Sequence, residues 1–256
     1  MTSSTATTPS EHDDVDRLLS VPMTETIPME ALRPYLASPS WHSIDGAFNL
    51  RSVSYSPFVR PGLVYRWGML ALLSEAGRHD IVKSLGITNI SDLRSNEERH
   101  KFPDPDIPGV EFNASDLSSV GKSTSEQKWT NIVEMLVFHL EEYRESFREM
   151  LLFVLNNPGK PFLVHCTGGK DRSGIAVALL LSIANVPRQY IAHDFALTRI
   201  EIEPVRELLQ AKATVDINDE RVKAIAGCDC ATIIKSPSRG SKAAAPSATQ
   251  PLCRDF

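Results

Sequence analysis

The feature that most constrains this chain is a short apolar run, Pro161-Phe162-Leu163-Val164, joined by a glycine-bearing loop to a long apolar run from Gly174 to Ala184. The first run follows Asn156-Asn157-Pro158-Gly159 and is too short for a helix, so it reads as a buried strand. The second is apolar on all sides and long enough for a buried helix. Between them lies His165-Cys166-Thr167-Gly168-Gly169-Lys170-Asp171-Arg172-Ser173. A buried strand leading directly into a buried helix is the building unit of α/β folds. It sets the loop at the carboxyl end of a strand, where such folds form their ligand crevice.

The residue types in that loop suit the hydrolysis of phosphate esters. Gly168 and Gly169 let the backbone curl and turn its N–H groups inward. Converging N–H groups at a helix N-terminus bind anions, and the same field favours a thiolate at Cys166, which makes it the candidate nucleophile. Arg172 brings a planar fork that can grip two phosphoryl oxygens and neutralise charge in the transition state. Ser173 is placed to donate to the thiolate as it leaves, and His165 to order the loop from behind. Thr167, Gly168, Gly169, Lys170 and Arg172 form the expected substrate-binding set. Other loops fail by inspection. Lys170 is followed by Asp171, not by the Ser or Thr of a nucleotide-binding loop, and Gly121-Lys122-Ser123 lacks that loop's leading glycine. Position 169 is Gly where a disulfide-exchange motif would carry its second Cys.

With these residues in view, the chain resembles the cysteine-dependent phosphatases with a Cys-x5-Arg loop. More narrowly, it is similar to the His-Cys-x-x-Gly-Lys-Asp-Arg branch of tyrosine-phosphatase-like, dual-specificity and lipid phosphatases of bacteria and fungi. Four further elements carry the resemblance: Gly46 to Arg51, Leu63 to Leu70 (with Trp67 where Ser is usual), Asp92-Leu93-Arg94 with Glu97 or Glu98 behind it, and Asp194 to Thr198. Together they span residues 44–200. The resemblance implies a phosphomonoesterase working through a phosphocysteine, with a phosphorylated protein or a phosphoinositide as substrate and no cofactor or metal. It also implies a helical lid, for which residues 126–144 or 187–212 are the candidates. A non-catalytic phosphate-binding module of the same fold is the alternative.

The general acid is open at this level. Asp171, inside the loop, is the first candidate that the resemblance offers, and an ion partner of Lys170 or Arg172 is its other reading. Asp92, at a strand end, is the second, although Asp92 and Arg94 would equally serve as a scaffold pair. Asp104, Asp106 and Asp116 lie in an irregular stretch, 102–125, suited to a movable flap. Lys170 suits a polyanionic head group or an acidic phosphopeptide, or else pairs with a neighbouring carboxylate.

Elsewhere the sequence argues for one phosphatase domain over 27–234, between disordered tails at 1–26 and 235–256. Strands are expected at Leu63–Tyr65, Ile87–Asp92, Val110–Asn113 and Phe162–Cys166. A helix is expected over 72–85 with Ser74 as a plausible cap and Gly86 at its end. Apolar residues from Ile132 to Val154 fall on one face of a single long helix, and Pro187 starts another. Strand and helix alternate, so the expected fold is α/β with a central, mostly parallel sheet flanked by helices. A net charge of −5 gives no reason to expect nucleic acid as partner. No apolar run reaches bilayer length, and the start lacks the pattern of a secretory signal, so a cytoplasmic location is expected. Cys228 and Cys230 lack a second ligand pair and read as a surface turn.

Overall fold

The computed structural model describes residues 11–37, 41–55, 57–117 and 129–208. Five strands, β1 (Arg51–Tyr55), β2 (Val59–Trp67), β3 (Asn89–Asp92), β4 (Glu111–Asn113) and β5 (Phe162–His165), form one sheet in the order β1-β2-β5-β3-β4. β1 pairs antiparallel with β2, and every other pairing is parallel. The α/β expectation is met. β5 lies at the centre and all four of its residues are buried, which is why it reads as an unbroken apolar run.

Eight helices accompany the sheet among the described residues: α1 (Glu11–Leu19), α2 (Met29–Leu36), α3 (Glu75–Lys83), α4 (Asn96–Lys101), α5 (Ile132–Glu142), α6 (Arg144–Asn156), α7 (Asp171–Ile183) and α8 (Arg188–Glu201). One sheet face packs Val64, Phe162 and Val164 against Phe147 and Met150 of α6 and Val177 and Leu181 of α7. The opposite face joins Tyr65, Trp67, Ile90 and Leu163 to Ile81 of α3. Ser74 caps α3 as expected, its side chain accepting from Gly77 N at 3.0 Å, and Gly86 follows with φ +66°.

Two expectations need correction. Residues 11–26 do not form a tail. Leu18 of α1 joins Ile27, Leu32 of α2 and Ile200 of α8 in one buried cluster, and Arg199 donates to the carbonyls of Val21 and Glu25. Enough apolar side chains are present there to bury a small core of their own. The helix expected over 132–156 is two helices, broken at buried Tyr143 (φ −97°, ψ 16°). The break lets α6 lie on the sheet while α5 turns toward the loop after β5. Both segments keep a continuous apolar periodicity, so nothing in the pattern marks the junction. Residues 1–10, the 235–256 tail, and Cys228 and Cys230 lie outside the described residues. Among the described residues no helix is long and apolar enough to cross a membrane.

Candidate active site

The parallel register brings three strand ends together, with Trp67 of β2 and Asp92 of β3 on either side of His165 of β5. Cys166 follows as a free thiol, 2% exposed, and the chain curls through 167–170 into the N-terminus of α7. Of the two loop glycines only Gly169 is conformationally required. It has φ +68°, and a Cβ there would lie 2.6 Å from both Trp67 O and Asn49 Nδ2. A Cβ on Gly168 would meet nothing within 4 Å.

Four successive carbonyls of this loop accept hydrogen bonds from the surrounding structure. Thr167 O accepts from Met69 N at 3.0 Å, Gly168 O from Asn49 Nδ2 at 2.8 Å, and Gly169 O from Arg66 Nη2 at 2.8 Å. Lys170 O accepts from Arg66 Nη2 at 3.1 Å and from Gly174 N at 2.9 Å. Behind the loop, Asp194 accepts from Arg66 Nη1 at 2.5 Å and from Arg51 Nε at 3.3 Å, and Arg51 also bonds Glu201. These four charged side chains are almost wholly buried. Burial opposes the charge on Asp194, but Arg51 and Arg66 outweigh it and hold its carboxyl below the usual range. Glu201 goes the other way: burial, helped by the charge of Asp194, pushes it up to about 7.

Arg172 is gripped at both ends of its fork by Glu98, at 2.6 Å and 2.8 Å. It also donates to Leu93 O and the Tyr143 hydroxyl, both at 3.3 Å, and stacks on the Tyr143 ring. Glu98 in turn accepts from Thr167 Oγ1 at 2.5 Å and from Ser95 N at 2.8 Å. The last contact closes a capping box at the start of α4. Burial opposes the charge of Glu98, yet Arg172 and these donors keep its carboxyl well below the normal range. Glu98, not Glu97, is therefore the acid behind the Asp92-Leu93-Arg94 element.

Asp92 and Arg94 bind each other tightly. Arg94 Nε and Nη2 donate to the two Asp92 oxygens at 2.9 Å each, and Arg94 N donates to Oδ1 at 2.9 Å. Asp104 joins through Arg94 Nη2 at 2.6 Å and lies 3.3 Å from His165 Nε2. Asp92, Asp104 and His165 are close enough to hold a metal ion, but both carboxylates are already paired with the guanidinium. Asp104 is thus part of the support, not of a free flap, and Asp116 accepts from Asn96 at 2.6 Å. His165 is fully buried beside both acids, behind the loop.

Asp171 and Lys170 sit on the open side. They pair at 2.5 Å with side chains 25% and 15% exposed, and Lys170 lies over the Phe195 ring at 6.0 Å. The Ser173 hydroxyl is buried with no hydrogen-bond partner among the described residues. From α5, His139 faces Asp171, Arg172 and Lys170, and burial pushes it down to about 4. His139 packs edge-on against Trp129 and Tyr143. Of the two candidate lid regions, the described part of 126–144 lies against the loop, whereas α8 supports it from behind through Asp194 and meets Lys170 through Phe195.

Sequence reasoning placed the loop residues and the Asp92–Arg94 pair, but gave no role to Asn49, Arg51, Arg66, Asp194 or Tyr143. One signal was available: Arg66 lies in a run of buried apolar residues, where an arginine needs a carboxylate partner elsewhere in the chain.

A sequence model of the tyrosine phosphatase family matches residues 42–239. The triple specificity protein phosphatase PtpB of Mycobacterium tuberculosis is 28% identical over 217 residues, covering 70% of this chain and 78% of that protein. A tyrosine-protein phosphatase of Nostoc commune is 30% identical over 140 residues, 52% of this chain and 47% of its own length. The chain thus spans most of the first relative and about half of the second. The crystal structure of P. aeruginosa TpbA in complex with pTyr aligns with 80% of this chain and 99% of its own at 15% identity and a TM-score of 0.32. On the family match and the loop it contains, the chain belongs to the tyrosine phosphatase family and is a cysteine-dependent phosphoric monoester hydrolase.

Proposed function

We propose that this chain dephosphorylates protein phosphotyrosine through a phosphocysteine. The observation that carries the reading is the joint placement of Cys166 and a Glu98-clamped Arg172 around a loop whose carbonyls are tied outward. Cys166 Sγ attacks phosphorus in line, so the S–P bond forms as the ester P–O bond breaks. Arg172 and the loop N–H groups of 168–171 hold the equatorial oxygens as charge redistributes. Asp171 gives its proton to the leaving oxygen: of the two partly exposed carboxyls beside the loop, Glu98 is held ionised by Arg172, which leaves Asp171. Water then attacks phosphorus, Asp171 takes its proton, and the S–P bond breaks. Ser173 donates to the departing thiolate, a role that fits a buried hydroxyl with no other partner among the described residues.

The mycobacterial relative is named for triple specificity, so phosphoserine and phosphothreonine peptides belong in any test beside phosphotyrosine and phosphoinositides. Cys166→Ser protein is expected to lose turnover of p-nitrophenyl phosphate entirely while still binding tungstate. Parental turnover by this variant would end the proposed mechanism. A malachite-green panel of the four substrate classes then ranks them, and a kcat/KM highest for a phosphoinositide would overturn the substrate assignment while leaving the chemistry intact.

A further inference from the structure

We infer that Asn49 and Arg66 are positioning residues that set the polarity of the phosphate loop, and that Asn49 accepts a strained backbone in order to do so. The inference rests on the phosphate-loop reading above and deepens it.

An anion cradle needs successive N–H groups on one side of the backbone, which an isolated loop has no reason to adopt. Because the peptide unit is planar and trans, the N–H of residue i+1 points away from the carbonyl of residue i. Fixing the carbonyls of 168, 169 and 170 outward therefore turns the N–H groups of Gly169, Lys170 and Asp171 toward the opposite side. Two side chains do this fixing: Asn49 at Gly168 O, and Arg66 at Gly169 O and Lys170 O. Neither reaches Arg172 or the thiol by any hydrogen bond among the described residues.

Asn49 has a backbone φ of 53°, one of two non-glycine residues in the left-handed region among the described residues. Glycine would adopt that conformation more readily. What glycine lacks is the amide. Asn49 is 2% exposed, its Oδ1 accepts from Arg51 Nη1 at 3.2 Å, and that bond orients Nδ2 toward the loop. Arg66 is likewise fixed from behind, through Asp194, and is fully buried.

The two demands on position 49 pull apart in one substitution. Asn49→Gly relieves the backbone and deletes the donor. Its melting temperature is expected to stay close to the parental value, because relief of the left-handed φ offsets the two buried hydrogen bonds lost, while tungstate affinity, measured by calorimetry, falls at least tenfold and kcat for p-nitrophenyl phosphate falls with it. Arg66→Lys keeps the charge opposite Asp194 but cannot reach both carbonyls, and the same loss of tungstate affinity is expected. Parental tungstate affinity in a folded Asn49→Gly protein would sink the inference, as would failure of the parental protein to bind tungstate. A merely structural role predicts the reverse pattern, with the melting temperature falling and tungstate affinity unchanged, and would also overturn it. Turnover by the parental protein tests the phosphatase mechanism separately: an inactive parental protein with a tungstate site lost in Asn49→Gly refutes that mechanism and keeps this assignment.

Discussion

Asp92 and Asp171 each stand just ahead of an arginine in the chain, and each was a candidate for the same proton-transfer role. The structure treats them in opposite ways. Asp92 is 3% exposed, and both its oxygens are engaged by Arg94. Burial opposes its charge, but His165 and Arg94 prevail and hold its carboxyl below the ordinary value. A carboxylate so held has no proton to give and no route by which to receive one. Asp171 keeps a quarter of its side chain open, on the first turn of α7 beside the loop, with Lys170 as its partner. Two acids of equal chemistry are separated by access and by how many donors claim their oxygens.

That contrast breaks most sharply if the two residues are neutralised in parallel. Asp171→Asn is expected to lower kcat on phosphotyrosine peptide by on the order of 10²-fold, and to lower it less on p-nitrophenyl phosphate, whose leaving group needs little protonation. The alkaline limb of the pH–rate profile should vanish with it. Asp92→Asn is expected to keep kcat within a few-fold but to lose on the order of 3 kcal/mol of stability in urea denaturation, since Arg94 would stay buried short of its counter-charge. If Asp92→Asn instead removed the alkaline limb, the assignment of the two residues would be reversed.

The same contrast explains how much was legible in the sequence. The loop, the central strand and the buried helix were readable because each is a local pattern: an apolar run, a turn glycine, a cysteine and an arginine at fixed spacing. The scaffold role of Asp92 was one of two open readings, because Asp92-Leu93-Arg94 shows proximity along the chain but not which partner reaches its oxygens. Nothing local ties Asn49 to Gly168, Arg66 to Asp194 or Glu98 to Arg172, which are 119, 128 and 74 residues apart. The break at Tyr143 was invisible for a related reason. Helical periodicity reports burial, and both α5 and α6 bury an apolar stripe, but it says nothing of where the axis turns.

Glu98 sharpens the comparison from the side of the arginines. Arg94 is claimed by buried Asp92 and by part-buried Asp104, whereas Arg172 is clamped by one carboxylate whose side chain is 31% exposed and keeps 13% of its own side chain open, the opening that the proposed mechanism assigns to the substrate. Glu98→Gln keeps an acceptor for Ser95 N but gives up one half of the bidentate grip. It is expected to cut kcat/KM by roughly tenfold, equivalent to about 1.4 kcal/mol of transition-state binding. A change below twofold in steady-state assays would mean that the loop alone orients Arg172.

Glu201 supplies the smallest test and the third kind of acid. Where Asp92 is held ionised and Asp171 is open, Glu201 is buried beside Asp194 and raised to about 7 even though it bonds Arg51. Its folded value lies above its unfolded value of 4.5, so between the two the native state holds a proton that the unfolded chain has released. By linkage its stabilising contribution is complete below the unfolded value and is lost as pH rises through the folded one. Between pH 6 and 8 that loss amounts to about 1.4 kcal/mol. Glu201→Gln mimics the protonated side chain, so it should match the parental stability only below the unfolded value, already exceed it at pH 6, exceed it by about 1.4 kcal/mol more at pH 8, and flatten the profile between. Equal losses at both pH values, measured by urea denaturation, would show instead that Glu201 is an ionised partner of Arg51 like Asp194. The acids of this scaffold would then divide into two kinds, not three.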